Sequence, residues 1–356
     1  MKIHLRYVFK KIIIYSLISL FFLVLIFSLF HFLEEMNKDY EIGSKIEYLL
    51  YSLPSIAHLL SIFAILIGAI LTLGTLNSNR ELQILLTGGI GLRQILINFM
   101  LISFFLSVFF IAIGEIFSPT FYEKSNQIKN TALGRPYMNA NKNLWFKEEN
   151  KIFNIGESYD GKQFKNINIF VFEKNNLQEI INSNHGSLLN NKLILDETKI
   201  QKINTESESQ LSSLSNLTLE KFDTGFTLSK QNITALNKDV RSMTFIELIE
   251  GVFFRVRIGL NSEIYLQEII SRLIKPITLM GMILLAAPLL LNLDRALSIG
   301  NMIFLGLGFG LLFQIFSRMI NALSIELQLS VVWSLIVPNL TLIFLGFIFS
   351  RGLLRN

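Results

Sequence analysis

Hydrophobic residues gather in six long blocks, near 12–33, 54–76, 95–117, 273–293, 299–320 and 329–350, each holding at most one ionisable side chain. A helix needs roughly 20 apolar residues to cross about 30 Å of hydrocarbon, so each block predicts a membrane span. Between the third and fourth lies a stretch of about 155 residues, 118–272, rich in Asn, Lys, Glu and Ser. That length suits a separate domain. The pattern divides the chain into 1–117 (three spans), 118–272 (a polar domain with a return segment) and 273–356 (three spans).

Within the polar stretch the period changes from helical to alternating. Lys151–Ile155, Asn166–Phe172, Lys192–Leu195 and Asn216–Phe222 are short, β-branched or aromatic, and parted by the turn signals Asp160-Gly161, Asn175-Asn176 and Asn190-Asn191. The alternation Asn166-Ile167-Asn168-Ile169-Phe170-Val171-Phe172 predicts a sheet with one buried face. A β-sandwich or a jelly roll fits these strands, with the strand order open. Residues 244–258 return to helical spacing through Phe245, Leu248, Ile249, Val252 and Phe253, predicting a helix that leads back to the membrane. No internal repeat shows in the motifs, although three spans, a domain and three spans make a rough 3+3 plan.

Composition agrees with this division: 51% of residues are hydrophobic and 17% charged, which excludes an ordinary cytosolic enzyme. Cysteine is absent, so no disulfide, thiolate nucleophile or iron–sulfur cluster can form. The net charge of +5 matters less than its placement. With the N-terminus inside, the inner flanks carry nine cations (Lys2, Arg6, Lys10, Lys11, Arg80, Arg93, Arg295, Arg351, Arg355) and the short outer loops only two, Lys38 and Lys45. Both termini are therefore expected in the cytoplasm and the polar domain outside. The basic start followed by Ile12–Leu33 looks like a signal sequence, but the apolar run is too long for one and no small-x-small cleavage site follows, so it is read as a retained span.

Few motifs carry chemistry. Gly156-Glu157-Ser158-Tyr159-Asp160-Gly161-Lys162-Gln163 fits seven positions of a phosphate-binding loop but places Gln where Ser or Thr must hold magnesium, and it sits among strands; a β-turn is the better reading. His4, His31, His58 and His185 lack metal-ligand spacing, and there is no G-x-S-x-G elbow and no close carboxylate pair within a span. No catalytic residue or metal site is expected. Glu115 sits in an apolar run, where an ionisable group is a functional candidate, yet it lies two residues from the outer end of its span, where snorkelling or helix termination at Pro119 explains it as well. Gly306, Gly308 and Gly310 crowd the fifth span and suit close helix packing. Pro276, Pro288 and Pro338 bend or loosen spans four and six.

The inner loop Asn77–Gln94 is the most informative. Leu82, Leu85 and Leu86 recur at helical spacing behind Arg80-Glu81, and Gly88-Gly89 stops the helix, predicting a short amphipathic helix at the inner interface. It could rest on lipid or insert into a separate ATPase.

Residues spread along the chain carry a resemblance. Leu50-Tyr51-Ser52-Leu53-Pro54, Leu66-Ile67-Gly68-Ala69 to Leu73-Gly74, Arg80-Glu81-Leu82 with Gly88-Gly89, Ala112-Ile113-Gly114-Glu115 with Pro119, and Leu144-Trp145-Phe146-Lys147 come first. Arg272, Pro276-Ile277, Leu284-Leu285-Ala286, Gly308-Phe309-Gly310 and Val337-Pro338-Asn339 follow in order. In these the chain resembles the LptF/LptG permeases of the lipopolysaccharide exporter, LptG more than LptF, and least over about 157–240.

The resemblance implies an α-helical polytopic inner-membrane subunit with six transmembrane helices and an inserted all-β, jelly-roll-like periplasmic domain. It implies export of lipopolysaccharide with an LptF-like permease, an LptB-like ATPase dimer that binds ATP and magnesium, an LptC-like membrane protein and an LptA-like bridge. No cofactor is implied in this chain. Residues Arg80, Glu81, Leu82, Leu85, Leu86, Gly88 and Gly89 take the ATPase-coupling role, with Glu81 at the family's acidic position. Lipid A carries acyl chains and anionic phosphates, so its site needs an apolar cavity rimmed by cations. Lys38, Arg272, Lys275 and Arg318 lie at outer-leaflet depth, where ordinary interfacial anchoring is the competing role. Lys38 and Arg272 match basic positions of the family, Lys275 and Arg318 do not obviously, and the acidic Glu34-Glu35 departs from a more basic pattern. A permease for lipoproteins or another lipid, or a membrane-anchored ligand-binding scaffold, are the competing functions.

Overall fold

The computed structural model describes residues 3–134, 144–148, 150–159, 163–173, 176–189, 192–207, 210–227, 238–257, 259–291, 298–327 and 329–355. The turn residues Asp160, Gly161, Asn175, Asn190 and Asn191 lie outside these, as do Lys2, Lys162 and Arg295. The chain forms two compact units, Met1–Ser125 with Gln267–Asn356, and Asn126–Leu266.

The helices of the first unit begin with α1 (Ile3–Met36), α2 (Ile42–Ser78), the short α3 (Glu81–Thr87) and α4 (Leu92–Ala132), whose last turns pass into the second unit. A second-unit helix, α5 (Phe245–Arg257), precedes α6 (Glu263–Leu290), α7 (Ile299–Glu326) and α8 (Val331–Arg355). All but α3 and α5 are long and apolar enough to cross a membrane, six in all, one for each apolar block. All six extend past their blocks at one end or both, α1 by nine residues and α2 by twelve at their starts. Helix α4 continues through Pro119 to Ala132 instead of stopping there, and α6 starts ten residues before its apolar block. Hydropathy measures the hydrocarbon crossed, whereas a helix continues as long as its backbone bonds close.

Helix α2 is the most buried span, and small residues explain how its neighbours reach it. At Gly68 a Cβ would lie 2.6 Å from the Ser16 backbone nitrogen and 2.8 Å from its Cα, so α1 crosses α2 in backbone contact. Gly310 of α7 leaves room for Phe63, Gly306 of the same helix approaches Ile67, and Gly74 of α2 accommodates Met302. Gly308 faces open space, so only two of the three crowded α7 glycines pack. On the α6–α8 seam, Gly281 meets Leu342, Gly346 meets Leu284, and Thr278 bonds Asn339. Close van der Waals packing of this kind holds helices together in lipid, where apolar burial gives little net drive.

The second unit contains a six-stranded antiparallel meander in the order β1 (Leu144–Glu148), β2 (Lys151–Tyr159), β3 (Gln163–Glu173), β4 (Asn176–Leu189), β5 (Lys192–Ser207), β6 (Gln210–Thr227). All four expected strands lie within β2, β3, β5 and β6. The polar β4 has too weak an alternation to be read in advance. The strand order is nearest-neighbour throughout, without the crossing connections of a jelly roll among the described residues, and β1 and β6 are its edges. One face carries the core, Phe146, Phe153, Ile155, Phe164, Ile167, Ile169, Ile181, Leu193, Leu195 and Ile200, with Phe254 of α5. Here burial is worth about 1.5–3 kcal/mol for each large apolar side chain. On β3, Ile167 and Ile169 point inward as alternation predicts, while Phe170 stacks on Trp145 at 5.8 Å.

A crease interrupts that alternation. The pairings that flank them set Gly156, Asn166, Asn184, Glu197 and Glu220 in one row across β2 to β6. Asn166 and Glu197 take φ of +53° and +48°, a left-handed geometry uncommon outside glycine. Inward positions skip a residue there: Phe164 gives way to Ile167 on β3, and Leu195 to Thr198 on β5. The Ser183 hydroxyl lies 2.6 Å from the carbonyls of both His185 and Asp196 beside the crease. Both halves of each strand thereby face the same core, a local bend of the type bulges produce.

Gly68→Val should lower thermal stability in detergent by about 1–3 kcal/mol, because α1 and α2 must separate. Gly308→Val, into open space, should stay within about 0.5 kcal/mol; equal losses in melting experiments would refute the backbone-contact account.

Candidate functional site

Polar side chains collect toward the two ends of the transmembrane unit. At one end, α3 follows α2 after a two-residue turn in which Arg80 adopts φ +59°. This geometry turns the chain sharply, and Glu81 opens the helix. The Glu81 carboxylate accepts hydrogen bonds from Lys11 Nζ at 2.8 and 2.9 Å, from the Tyr7 hydroxyl at 2.9 Å and from Asn79 Nδ2 at 3.3 Å. Leu82 is fully buried in the core of the transmembrane unit, and Leu85 and Leu86 are half-buried against it. The face left outside is Gln83, Ile84 and Thr87, with Ile84 69% exposed. Gly88 caps the helix through its N–H to the Ile84 carbonyl, and Gly89 takes φ +83° beyond it. Nearby, Asn77 Nδ2 donates to the Leu290 carbonyl at 3.0 Å and ties α2 to the end of α6.

The loop residues predicted from sequence thus come together, with a different division of labour from the one expected. The leucines fasten α3 to its own chain. Glu81 is engaged by α1, a link between residues 70 positions apart that the local pattern could not reveal.

Near the other end, Arg272 of α6 is held between two carboxylates. Its Nη1 donates to Glu115 of α4 at 2.8 and 2.9 Å, and its Nε to Glu268 one turn earlier at 2.9 Å. Glu115 is therefore the ion-pair partner of a buried guanidinium, on a helix that does not end at Pro119. An arginine paired in this way has its charge compensated. Lys275, one turn on, is within electrostatic reach of Glu268, Arg272 and Glu115, yet no hydrogen bond or ion pair with the described residues holds its ammonium. His58 of α2 lies close enough to feel both cations, and its Nδ1 is buried with no hydrogen-bond partner. Gly114 makes room for that ring, since a Cβ there would overlap Nδ1.

The remaining predicted cations stand apart. Lys38 is taken by Glu35 at 2.6 Å and Glu34 at 3.4 Å, so the acidic pair beside it is its counter-ion. Tyr40 donates to the other oxygen of the fully buried Glu35 at 2.7 Å. Arg318 is exposed on α7, and no described residue pairs with it. Sequence reasoning passed over His58 because it asked only for metal-ligand spacing; a histidine inside an apolar block was the available signal. Among the described residues no group of three His, Asp or Glu could hold a metal ion.

Burial acts to raise the Glu81 carboxyl, but the hydrogen bonds from Lys11, Tyr7 and Asn79 and the Lys11 charge outweigh it and hold the group below the usual carboxylate range. With the folded value below the unfolded one, the clamp contributes fully above about pH 5 and is lost as pH falls through the lowered value. Amide exchange of residues 81–87, corrected for intrinsic rate, should speed up across that acid window in the wild type. In Glu81→Gln it should be fast already at neutral pH. Identical protection in the two proteins would show that the clamp does not hold α3.

The family described as "Lipopolysaccharide export system permease LptF/LptG" matches residues 6–352. The LptG permease protein of Escherichia coli K12 is 21% identical over 344 residues, covering 94% of each chain. The LptG protein of Haemophilus influenzae is 22% identical over 348 residues, covering 95% of each. A match across all six spans and the intervening sheet, in proteins of the same length, leaves one conclusion: the chain belongs to the LptF/LptG permease family, with LptG-named proteins among its relatives.

Proposed function

We propose that this chain is the transmembrane permease subunit of an ATP-driven exporter that takes lipopolysaccharide from the outer leaflet of the inner membrane and hands it to its β domain. In this reading both termini are cytoplasmic, as the nine-to-two cation count favours. The polar domain is periplasmic, and its creased sheet curls in jelly-roll fashion around an apolar interior that receives acyl chains. An LptF-like permease completes the cavity, an LptB-like ATPase dimer supplies energy, and LptC- and LptA-like proteins receive the lipid. Support comes from the full-length family match and from a chain whose helices and sheet are the parts such a machine needs.

The observation that carries the substrate site is Lys275, a cation inside a span that forms no ion pair with the described residues while Arg272 engages the nearby Glu115 and Glu268. An unpaired ammonium at membrane depth is costly, and an anionic ligand offsets the cost. Arg272 already has carboxylates, so its part is to shape the site, and Lys38 is held by its own acidic pair. The loop keeps its coupling role with altered parts: Arg80, Gly88 and Gly89 set the ends of α3, Glu81 and the three leucines fasten it, and Ile84 with Gln83 and Thr87 meets the ATPase.

Charge reversal separates these roles. Lys275→Glu should cut the lipopolysaccharide that co-purifies with the chain by tenfold or so, the loss of one charge-assisted contact at about 1.5 kcal/mol. Lys38→Glu should change it much less. Quantified bound lipid, with melting temperature as a folding check, decides the matter, and unchanged lipid in Lys275→Glu would sink the phosphate role.

A further inference from the structure

Helix α5 is built in the reverse of a water-facing helix. Its inner residues Leu248, Gly251 and Phe254 are buried, Phe254 in the sheet core. Its outer residues are Ile246, Ile249, Phe253 and Val256, exposed by 69, 37, 72 and 62%. At 100° per residue these four share an arc of about 80°. The only other fully exposed residue of the helix is Arg257, at its last position. Of the charged residues, Glu250 flanks the arc, while Glu247 and Arg255 lie on the inner side, each only partly exposed.

Both ends of this helix are fixed. At its start Thr244 and Glu247 form a reciprocal capping box, the Thr244 N–H donating to the Glu247 carboxylate at 2.7 Å and the Glu247 N–H to the Thr244 hydroxyl at 3.3 Å. Lys238 binds the same carboxylate at 3.0 Å. At its end Arg255 Nε donates to the Asn261 carbonyl at 2.9 Å, while its guanidinium lies 5.2 Å from the centre of the Tyr265 ring in the first turn of α6. Asn261 in turn caps α6 by accepting from the Glu263 N–H at 2.7 Å. Helix α6 is a membrane span, and at most five residues, about 17 Å of chain, separate it from α5. The apolar arc is thus tied to the point where the chain enters the bilayer.

We infer that α5 is an interfacial helix whose Ile246–Val256 arc lies in the acyl chains of the leaflet that α6 enters, with Arg257 at the level of the lipid phosphates. Two observations select lipid as the occupant. The tether to a span holds the arc near the point where the chain enters the bilayer, and the arc is apolar along the length of the helix with its exposed charge, Arg257, at the last position. The inference rests on the spans being in a membrane and not on the identity of the cargo.

The cysteine-free chain permits a direct test. Single spin labels are placed at Ile246→Cys, Ile249→Cys, Phe253→Cys and Val256→Cys, at the buried Leu248→Cys and at the exposed sheet residue Lys221→Cys. The full chain is then reconstituted in nanodiscs of phosphatidylethanolamine and phosphatidylglycerol. Collisions with oxygen, which concentrates in acyl chains, are compared with those of a water-soluble nickel chelate. The four arc positions should favour oxygen severalfold over Lys221→Cys, with Leu248→Cys reached by neither. Nickel access at Phe253→Cys equal to that at Lys221→Cys would place the arc in water. Access by neither reagent would place it against protein. Either outcome overturns the inference, and neither bears on whether lipopolysaccharide is bound.

Discussion

Backbone contact between α1 and α2 at Gly68 is the constraint from which the transmembrane unit follows. Once Ser16 sits against Gly68, α1 passes close enough to the end of α2 for Lys11 and Tyr7 to reach Glu81. Helix α2 receives α7 along one face, through Gly310 and Gly306 and through Met302 at Gly74. In lipid these approaches replace the hydrophobic drive that stabilises the sheet core, so a single added methyl group at the crossing has an effect that a larger change on an outer face lacks. The faces of α1 and α7 away from α2 remain apolar and uncovered, with Phe21, Phe22, Leu312 and Ile315 among the exposed residues.

On that frame the charges divide into compensated and uncompensated groups. The clamp of α3, the Arg272–Glu115–Glu268 cluster and the Lys38–Glu35 pair each close within the chain. Pairing makes these groups inexpensive to keep in or near the bilayer and also removes them from ligand binding. Lys275 forms no ion pair with the described residues, and the buried Nδ1 of His58, set against Gly114, has no hydrogen-bond partner among them.

Much of this was legible in the residues because hydropathy has two distinct periods here. Six apolar blocks marked the six spans, and Ile167 with Ile169 marked the inner face of β3. The inner loop was readable as a short helix because Leu82, Leu85 and Leu86 follow the helical repeat. What the pattern could not hold was partnership. The same leucine repeat serves a helix fastened to its own core or one buried in another protein, and Glu81 gives no sign of Lys11. Strand β4 escaped because Asn, Ser and His fill its outer positions, and the crease escaped because Asn166 and Glu197 are ordinary residues in an unusual backbone region. The cations in and beside the spans were visible in the sequence, but their carboxylate partners, from 3 to 157 positions away, decided which of them are paired.

The central claim is that this chain is one part of a machine whose energy source lies in other chains. Affinity purification of the full chain from its native membrane, in mild detergent with mass spectrometry of everything retained, tests it most directly. The account predicts a second six-span permease and an ATPase with a complete phosphate-binding loop in a fixed ratio to this chain, and loss of the ATPase alone in Ile84→Asp. A correctly folded chain that arrives alone with ordinary phospholipid, while those partners are expressed, would contradict it.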